Sequence, residues 1–489
     1  MHGSDINLIN VYLKDKNFFD DAGLLLRAFF TGSKVIYSGE SENDSYLSSV
    51  SEDEKVFYLS DDCLHCCLDA FLPEYKETLG KSKGEIHDIF KKSLYESLME
   101  YTGKKLPWGF LTGVRPSKRA MALLNDKCDN KKEVTDILKE RYLISDKKSE
   151  LAYEVAKKEK LIIDNLSDKN SISLYIHIPF CPSVCAYCSF ATVLNDSVLA
   201  DRYVDALCVE LEAFKDRLSD KNINSIYMGG GTPTALNASQ LEKILLCVEN
   251  NYNLSDLLEY TVEAGRADSI TKEKLEVLKR HNITRISVNP QTFNQKTLDI
   301  IGRNHTTDDV YAAYCLAREL GFDNINMDVI LGLPGETRDD ILKTAECLKE
   351  LAPDSITMHS LSFKRAAAFT TSKSLYNNYE YISTDEYQDI LGSAAEELNM
   401  MPYYMYRQQN MTGNLENVGY SKEGFECLYN IFIMEEVQSI IAFGAGSSTK
   451  CIFDNGRIER AENVKNVEQY INRVDEMIDR KNKLLDQYN

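Results

Sequence analysis

Leu174–Phe190 reads LYIHIPFCPSVCAYCSF. Its first residues alternate, with Leu174, Ile176 and Ile178 on one side and Tyr175 and His177 on the other, which is the pattern of a strand with two unlike faces. Pro179 and Pro182 stiffen the loop beyond the strand, since each proline fixes a backbone dihedral and removes a donor. On that stiff loop stand Cys181, Cys185 and Cys188, in C-x3-C-x2-C spacing. A zinc site normally has four ligands in Cys/His pairs, and no fourth is evident nearby. A thioredoxin-like pair at Cys185 and Cys188 would leave Cys181 without a task. A cubane iron–sulfur cluster can take three thiolates on three irons and leave its fourth iron open.

Outward from this stretch, Ser171 to about Ser362 alternates strand-like and helix-like segments. The strand candidates are SLYIHIP, SIYMGGG, YTVEAG, RISVNPQ, NINMDVILGLP and SITMHSLS. Helical stretches lie between them at Leu199–Leu218, Ser239–Asn250, Thr271–His281, Thr307–Leu320 and Arg338–Leu351. Strand–helix alternation predicts parallel βαβ units, so the expected fold is α/β, a partial (β/α)6 barrel. Ligands in such folds gather at the carboxyl ends of the strands. There the sequence has GGGTPT after the second strand, Glu263 and Arg266 at the third, Gln291 at the fourth, Asp328 on the fifth, and Lys364 with Arg365 after the sixth. An open iron beside a glycine-rich loop suits S-adenosylmethionine, which can chelate it through amino and carboxylate groups. The cofactor then carries the difficult chemistry while the protein binds and orients it.

The whole chain has 489 residues, a formal net charge of −20 and 13 cysteines. Such acidity argues against a nucleic-acid surface, which needs clustered Lys and Arg. No window approaches the roughly 18 consecutive apolar residues of a membrane span. The N-terminus lacks signal-peptide features, so a cytoplasmic location with free or metal-bound thiols is expected. Three regions are predicted: an α+β accessory domain over 1–165, the core over 166–365, and a mostly helical C-terminal domain over 366–489. The acidic run Ser38–Lys55 reads as a solvated loop, and Trp108 within LPWGFLTGVRPSKRA as a packed turn leading into a helix. CLHCC at Cys63–Cys67 reads as buried thiols, and the small-residue loop AFGAGSSTK, residues 442–450, permits close backbone approach to a ligand.

Together, LYIHIPFCPSVCAYCSF, GGGTPT, VEAGRAD, QTFNQKTLDIIGRNH and MDVILGLPGET resemble the radical S-adenosylmethionine (SAM) enzymes of the oxygen-independent coproporphyrinogen III oxidase family. LPWGFLTGVRPSKRA, HSLSFKRA and YRQQNMTGNLENVGY are similar to its HemZ-type branch, extending the resemblance to most of the chain. The resemblance implies a 4Fe-4S cluster on Cys181, Cys185 and Cys188, and one or two SAM molecules contacted by Tyr175, His177, Tyr187, Gly230, Gly231, Thr232, Glu263, Gln291, Arg303, Asp328 and Ser362. It further implies a tetrapyrrole substrate, an electron donor such as flavodoxin or ferredoxin, and oxidative decarboxylation of propionates to vinyl groups.

The substrate's carboxylates call for cationic partners. The candidates are Arg266, Lys364, Arg365 and Arg407. Two departures from the family pattern stand out. The authentic oxidases have a further cysteine two residues beyond the third, where this chain has Phe190. Haem-chaperone relatives carry an H-N-x-x-Y-W motif, where this chain has YNIFIM, Tyr429–Met434. A radical SAM methyltransferase or a haem-binding chaperone are the alternative functions.

Overall fold

The computed structural model describes residues 6–30, 33–39, 56–60, 63–113, 115–126, 130–166, 168, 170–190, 192–364, 367–372, 376, 378–408, 411 and 415–488. Most of the acidic run at 38–55, and Arg365, lie outside the described residues. The chain divides into two compact units, one of residues 1–154 with 407–415, the other of 155–406 with 416–489.

The first unit is α+β. Strands β1 (Leu8–Tyr12), β2 (Lys34–Gly39), β3 (Phe57–Ser60) and β4 (Cys63–Cys67) form a sheet in the order β2-β1-β4-β3. β1 runs parallel to β2 and β4, and β3 runs antiparallel to β4. Alternation decides which side chains enter the core: Ile9, Val11, Leu64 and Cys66 are fully buried. Burial pushes the Cys66 thiol well above its ordinary range, as suits a structural thiol. Trp108 is buried just before the helix Ser117–Asn125, with the Arg407 guanidinium over its ring.

The second unit is built on one eleven-stranded sheet. The six strand candidates appear as β5 (Ser171–Ile178), β8 (Asn222–Gly230), β9 (Glu259–Gly265), β10 (Arg285–Val288), β11 (Ile325–Leu331) and β12 (Ser355–Ser360), consecutive and parallel. Between β5 and β8 the cysteine loop contributes a two-residue pair, β6 (Phe180–Cys181) with β7 (Val193–Leu194). Helices Ser197–Ala213, Ala238–Asn251, Lys272–Arg280, Thr307–Glu319 and Arg338–Leu351 connect the strands. Three begin with reciprocal capping boxes, at Asn237/Gln240, Thr306/Asp309 and Thr337/Asp340, which satisfy otherwise orphaned N–H groups.

β10 ends at Val288, before Asn289-Pro290, because Pro290 has no N–H to continue the ladder. Gln291 then turns back with φ 65° and bridges to Val329 of β11. Among its described residues the C-terminal part carries helices and also five strands. β13 (Met401–Tyr406) and β14 (Asn417–Ser421) extend the β12 edge, while β15 (Ser439–Phe443), β16 (Ser448–Ile452) and β17 (Ile458–Glu462) extend the other. β15 runs parallel to β5, which makes β5, carrier of the cysteine loop, an interior strand.

The loop after β15 approaches the chain's own backbone. A Cβ on Gly444, at φ 96°, would press on the His177 carbonyl and the Tyr203 hydroxyl. Tyr203 donates to that carbonyl and accepts from Ala445 N. Beneath it, the fully buried Glu210 accepts from Gly444 N (2.8 Å), Tyr470 Oη (2.7 Å), Asn463 Nδ2 (2.8 Å) and Lys481 Nζ (3.0 Å). Lys481→Ala would strand a buried carboxylate, at a cost of about 3–5 kcal/mol. A lowered urea midpoint is the expected result, largely restored by pairing Lys481→Met with Glu210→Gln. A single variant as stable as wild type would contradict this.

Candidate active site

The two faces of β5 set the site. Ile172, Leu174, Ile176 and Ile178 are buried in the main core with the surrounding helices. On the opposite face Tyr175 and His177 are joined by a 3.1 Å hydrogen bond between Tyr175 Oη and His177 Nδ1. Burial lowers the imidazole to about 4, which keeps it neutral. Tyr175 also stacks on Tyr227 and Tyr429, at centroid distances of 6.2 and 6.0 Å.

The glycines after β8 leave room for this face. A Cβ on Gly230 would overlap the His177 ring, and one on Gly229 would lie 2.7 Å from the Glu263 carboxyl carbon. Gly231 donates to the Ile178 carbonyl (2.8 Å) and Thr232 to the Phe180 carbonyl (2.7 Å), so the GGGT turn is tied to the start of the cluster loop.

Cys181 lies on β6 with Sγ 3.5 Å from Thr232 Oγ1. Cys185 is buried, and Cys188 donates from its backbone N–H to the Cys185 carbonyl at 3.0 Å. Burial raises the thiols of Cys181 and Cys188. The loop is docked on the turn before Arg303: Ala186 N donates to Ile301 O (2.9 Å) and Ser183 Oγ to Gly302 O (3.1 Å).

Glu263, at the end of β9, accepts from the Tyr227 hydroxyl and from Gly230 N (3.3 Å). Burial raises its carboxyl to about 7, with the Asp328 charge adding to the effect. Gln291 is buried with its Oε1 unpaired, and Arg303 is buried with Nε unpaired while Nη2 donates to Tyr187 Oη at 3.0 Å. Asn289 joins Arg303 to Asp328, accepting from Arg303 Nη1 on its carbonyl (3.3 Å) and donating from Nδ2 to Asp328 Oδ2 (2.8 Å). Asn326 donates to the other carboxylate oxygen of Asp328 (2.7 Å), and His359 Nε2 lies 3.7 Å away. Burial works against the Asp328 charge, but the nearby His359 imidazole and the Asn326 hydrogen bond outweigh it and the carboxyl is lowered.

The candidate cations are placed differently from one another. Arg266 is only 3% exposed and donates to both Asp268 oxygens (2.9 and 2.7 Å), to Ser183 O (3.1 Å) and to Cys185 Sγ (3.5 Å). It therefore faces the cluster loop, not an open carboxylate pocket. Lys364 follows β12 half-buried, and desolvation lowers its pKa. Arg407 belongs to the first unit and donates to Leu111 O at 2.6 Å. Ser362 follows β12 by two residues, half-buried.

Sequence reasoning missed Tyr227, Asn289, Asn326 and Tyr429. Period-2 spacing marks the first three, as Tyr227 with Gly229, Asn289 with Gln291 and Asn326 with Asp328. Tyr429 had no local signal.

The residues present fit a cluster and a polar cofactor. Among the described residues no three His, Cys, Asp or Glu side chains converge as a single metal ion would need. A cubane gives each thiolate its own iron and needs no such convergence. The unpaired Gln291 Oε1 and Arg303 Nε are polar atoms awaiting partners, since buried polar groups are otherwise paired.

Glu263 also makes a pH-dependent contribution to stability. Its folded value of about 7 exceeds the ordinary 4.5, so folding gains from its protonation below about 4.5 and loses that gain as pH rises through 7, up to about 3 kcal/mol. Glu263→Gln should remove one of two contributions that lower denaturation midpoints of the cofactor-free protein as pH rises from 4.5 to 7. The other is buried Glu336, likewise raised to about 7, while His177, lowered to about 4, acts in the opposite sense. The pH slope should therefore turn upward relative to wild type. An unchanged pH slope would show that Glu263 is ionised throughout.

Residues 175–348 match the radical SAM superfamily, the class that the parallel sheet and its thiol loop define. Over 480 residues the chain is 36% identical to the oxygen-independent coproporphyrinogen-III oxidase-like protein HemZ of Bacillus subtilis (strain 168), covering 94% of each. It is 33% identical to the heme chaperone HemW of Lactococcus lactis subsp. lactis (strain IL1403), covering 56% of this chain and 69% of the relative. The structure of coproporphyrinogen III oxidase (HemN) from Escherichia coli is similar in fold, with TM-score 0.50 and 22% identity, over 65% of this chain and 72% of that one. The chain belongs to the radical SAM superfamily, in its branch of HemZ-type, oxygen-independent coproporphyrinogen III oxidase-like proteins. The family implies a 4Fe-4S cluster and SAM. No helix among the described residues is long and apolar enough to cross a membrane.

Proposed function

We propose that the protein catalyses the oxygen-independent oxidative decarboxylation of coproporphyrinogen III, converting two propionate side chains to vinyl groups and giving protoporphyrinogen IX. The observation that carries this reading is a likeness to an oxidase-like relative that runs the length of both chains. When bound, the cluster and SAM supply a 5'-deoxyadenosyl radical that can take a hydrogen atom from an unactivated carbon.

The chain's own residues hold, orient and shield. Cys181, Cys185 and Cys188 hold the cluster. Glu263, Gln291, Arg303 and Asp328 offer charged and polar groups to SAM, one molecule or two, and Gly230, Gly231 and Thr232 bring backbone close to it. Tyr187, fixed by Arg303, and Ser362 are further contacts. Tyr175 and the neutral His177 wall the site on the β5 side. Lys364 supplies cationic charge for substrate carboxylates, with Arg365 beside it in sequence. A flavodoxin or ferredoxin in the cytoplasm would provide the electron that cleaves SAM, and the electron left on the substrate after each hydrogen-atom abstraction and loss of carbon dioxide would pass to an external one-electron acceptor.

A haem-binding chaperone is the second reading, favoured by the HemW likeness and by Phe190 where the oxidases have cysteine. Against it, Tyr429–Met434 contains no histidine, and Tyr429 is buried in the stack on Tyr227 at 4.7 Å.

Anaerobically reconstituted protein with coproporphyrinogen III, SAM and a strong reductant should yield 5'-deoxyadenosine and a product lighter by two carbon dioxide molecules and four hydrogen atoms by mass spectrometry. Unchanged porphyrinogen, a gain of methyl groups, or stable haem binding without turnover would each overturn the proposal.

A further inference from the structure

Arg266 is the one candidate cation whose environment is fully drawn, and it is spent on the cluster loop. Its side chain is 4% exposed and paired with Asp268. Nε and Nη2 hold the two carboxylate oxygens in a fork, which leaves Nη1 pointing at Ser183 O and Cys185 Sγ. Asp268 is backed by the buried His305, whose Nδ1 lies 3.9 Å from Oδ1. Burial alone would raise the Asp268 carboxyl, but the His305 and Arg266 interactions hold it well below the usual carboxylate range. The guanidinium cannot rotate away without abandoning a bidentate, desolvated pair. A fixed positive charge is thereby delivered to one sulfur of the cysteine triad.

We propose that Arg266, oriented by Asp268, is a positioning residue that sets the reduction potential of the cluster through a charged N–H···S bond to Cys185. The inference rests on the cluster site assigned above and is independent of the tetrapyrrole reaction that the cluster serves. Cluster potentials depend on net charge, on hydrogen bonds to the sulfurs and on solvent exposure. Reduction adds one electron, supplied by an external low-potential donor, to a cluster already bearing thiolates. A cation beside Cys185 stabilises that added negative charge and makes reduction easier. Asp268 has two opposed effects, holding the cation in place while its own charge, one step further off, partly cancels it. The fork geometry explains why arginine is needed, because a lysine cannot grip Asp268 with two parallel bonds and still reach the sulfur.

The test is the midpoint of the reconstituted holoprotein in an anaerobic redox titration read by electron paramagnetic resonance. Arg266→Gln is expected to load iron and sulfide and to show at least a tenfold lower reduced-to-oxidised ratio at the wild-type midpoint, about 59 mV for a one-electron couple. Asp268→Asn keeps an acceptor for the guanidinium but removes the opposing charge, so its midpoint should move upward. Opposite shifts are the electrostatic signature, which a loosened loop would not produce. An unchanged midpoint in Arg266→Gln, or shifts of the same sign in both variants, would overturn the assignment. Should Arg266→Gln fail to hold iron, Arg266→Lys decides: a lowered midpoint supports the role and a wild-type midpoint refutes it. Shifted midpoints in a protein that decarboxylates nothing would refute the proposed function and leave this inference standing.

Discussion

Cys181→Ala, Cys185→Ala and Cys188→Ala, each made singly, are expected to leave protein that folds but retains less than about one-hundredth of the wild-type formation of 5'-deoxyadenosine. Loss of a mere outer partner of a metal ligand costs about 10- to 100-fold, and loss of a thiolate removes one of only three anchors. No substitute is at hand, because the described residues gather no further three-ligand set around the loop. Folding should survive, since Cys181 and Cys188 are only half-buried and the loop keeps its backbone bonds to Ile301 and its Ser183 bond to Gly302. Iron and sulfide content after anaerobic reconstitution is the direct measurement. Cys63→Ala is the comparison, a half-buried thiol on β4 of the first unit, and it should load as wild type does. A triad variant with a full iron complement and normal turnover would remove the basis of the proposed function.

Gly231→Ala should be nearly as damaging by a different route. A methyl there would lie 2.6 Å from the Phe180 carbonyl oxygen and 2.8 Å from that of Ile178. Both are backbone atoms of the segment leading into Cys181, and no rotamer change relieves the overlap. The same carbonyls accept from Thr232 N and Gly231 N, so relief comes only by separating the turn from the loop. Overpacking costs about 1–3 kcal/mol, and each lost hydrogen bond adds about 1 kcal/mol. Differential scanning calorimetry should show a melting temperature several degrees lower, with iron loading reduced in parallel. Gly84→Ala is the control, since nothing lies near that position on the helix Lys83–Thr102, and alanine there should be neutral or slightly stabilising. Wild-type loading by Gly231→Ala would mean that the turn and the thiol loop are not mechanically joined.

Local periodicity made much of the fold legible. All six core strands and the five helices between them lie where the sequence places them, because two-residue and 3.6-residue patterns are local properties. β10 stops three residues before its expected end, for a reason also present in the sequence, Pro290. The parallel docking of β15 beside β5 was not legible. It joins residues more than 260 positions apart, and nothing in SIIAF tells which strand it will adjoin. The glycine loop after β15 shows the same limit: composition permits a close backbone approach and was read as room for a ligand, whereas Gly444 lies against the His177 carbonyl of the chain itself.

Arg266 shows the difference most clearly. As a sequence position it was a cation at a strand end, equivalent to Lys364 and available for a carboxylate. The neighbouring Asp268 stood in the same short motif, but a bidentate pair depends on side-chain direction, and the reach to Cys185 spans 81 residues of chain.

By itself, then, the sequence determined the class of the protein, since the thiol spacing and the strand–helix alternation are written in nearby residues and need no partner to be recognised. Only the tertiary structure decided the company those residues keep: which cation reaches the thiol loop, which carboxyl is raised by burial, and which glycines have no room for a methyl. Those outcomes depend on burial and on distances between remote segments, and burial exists only once the chain has closed around its core.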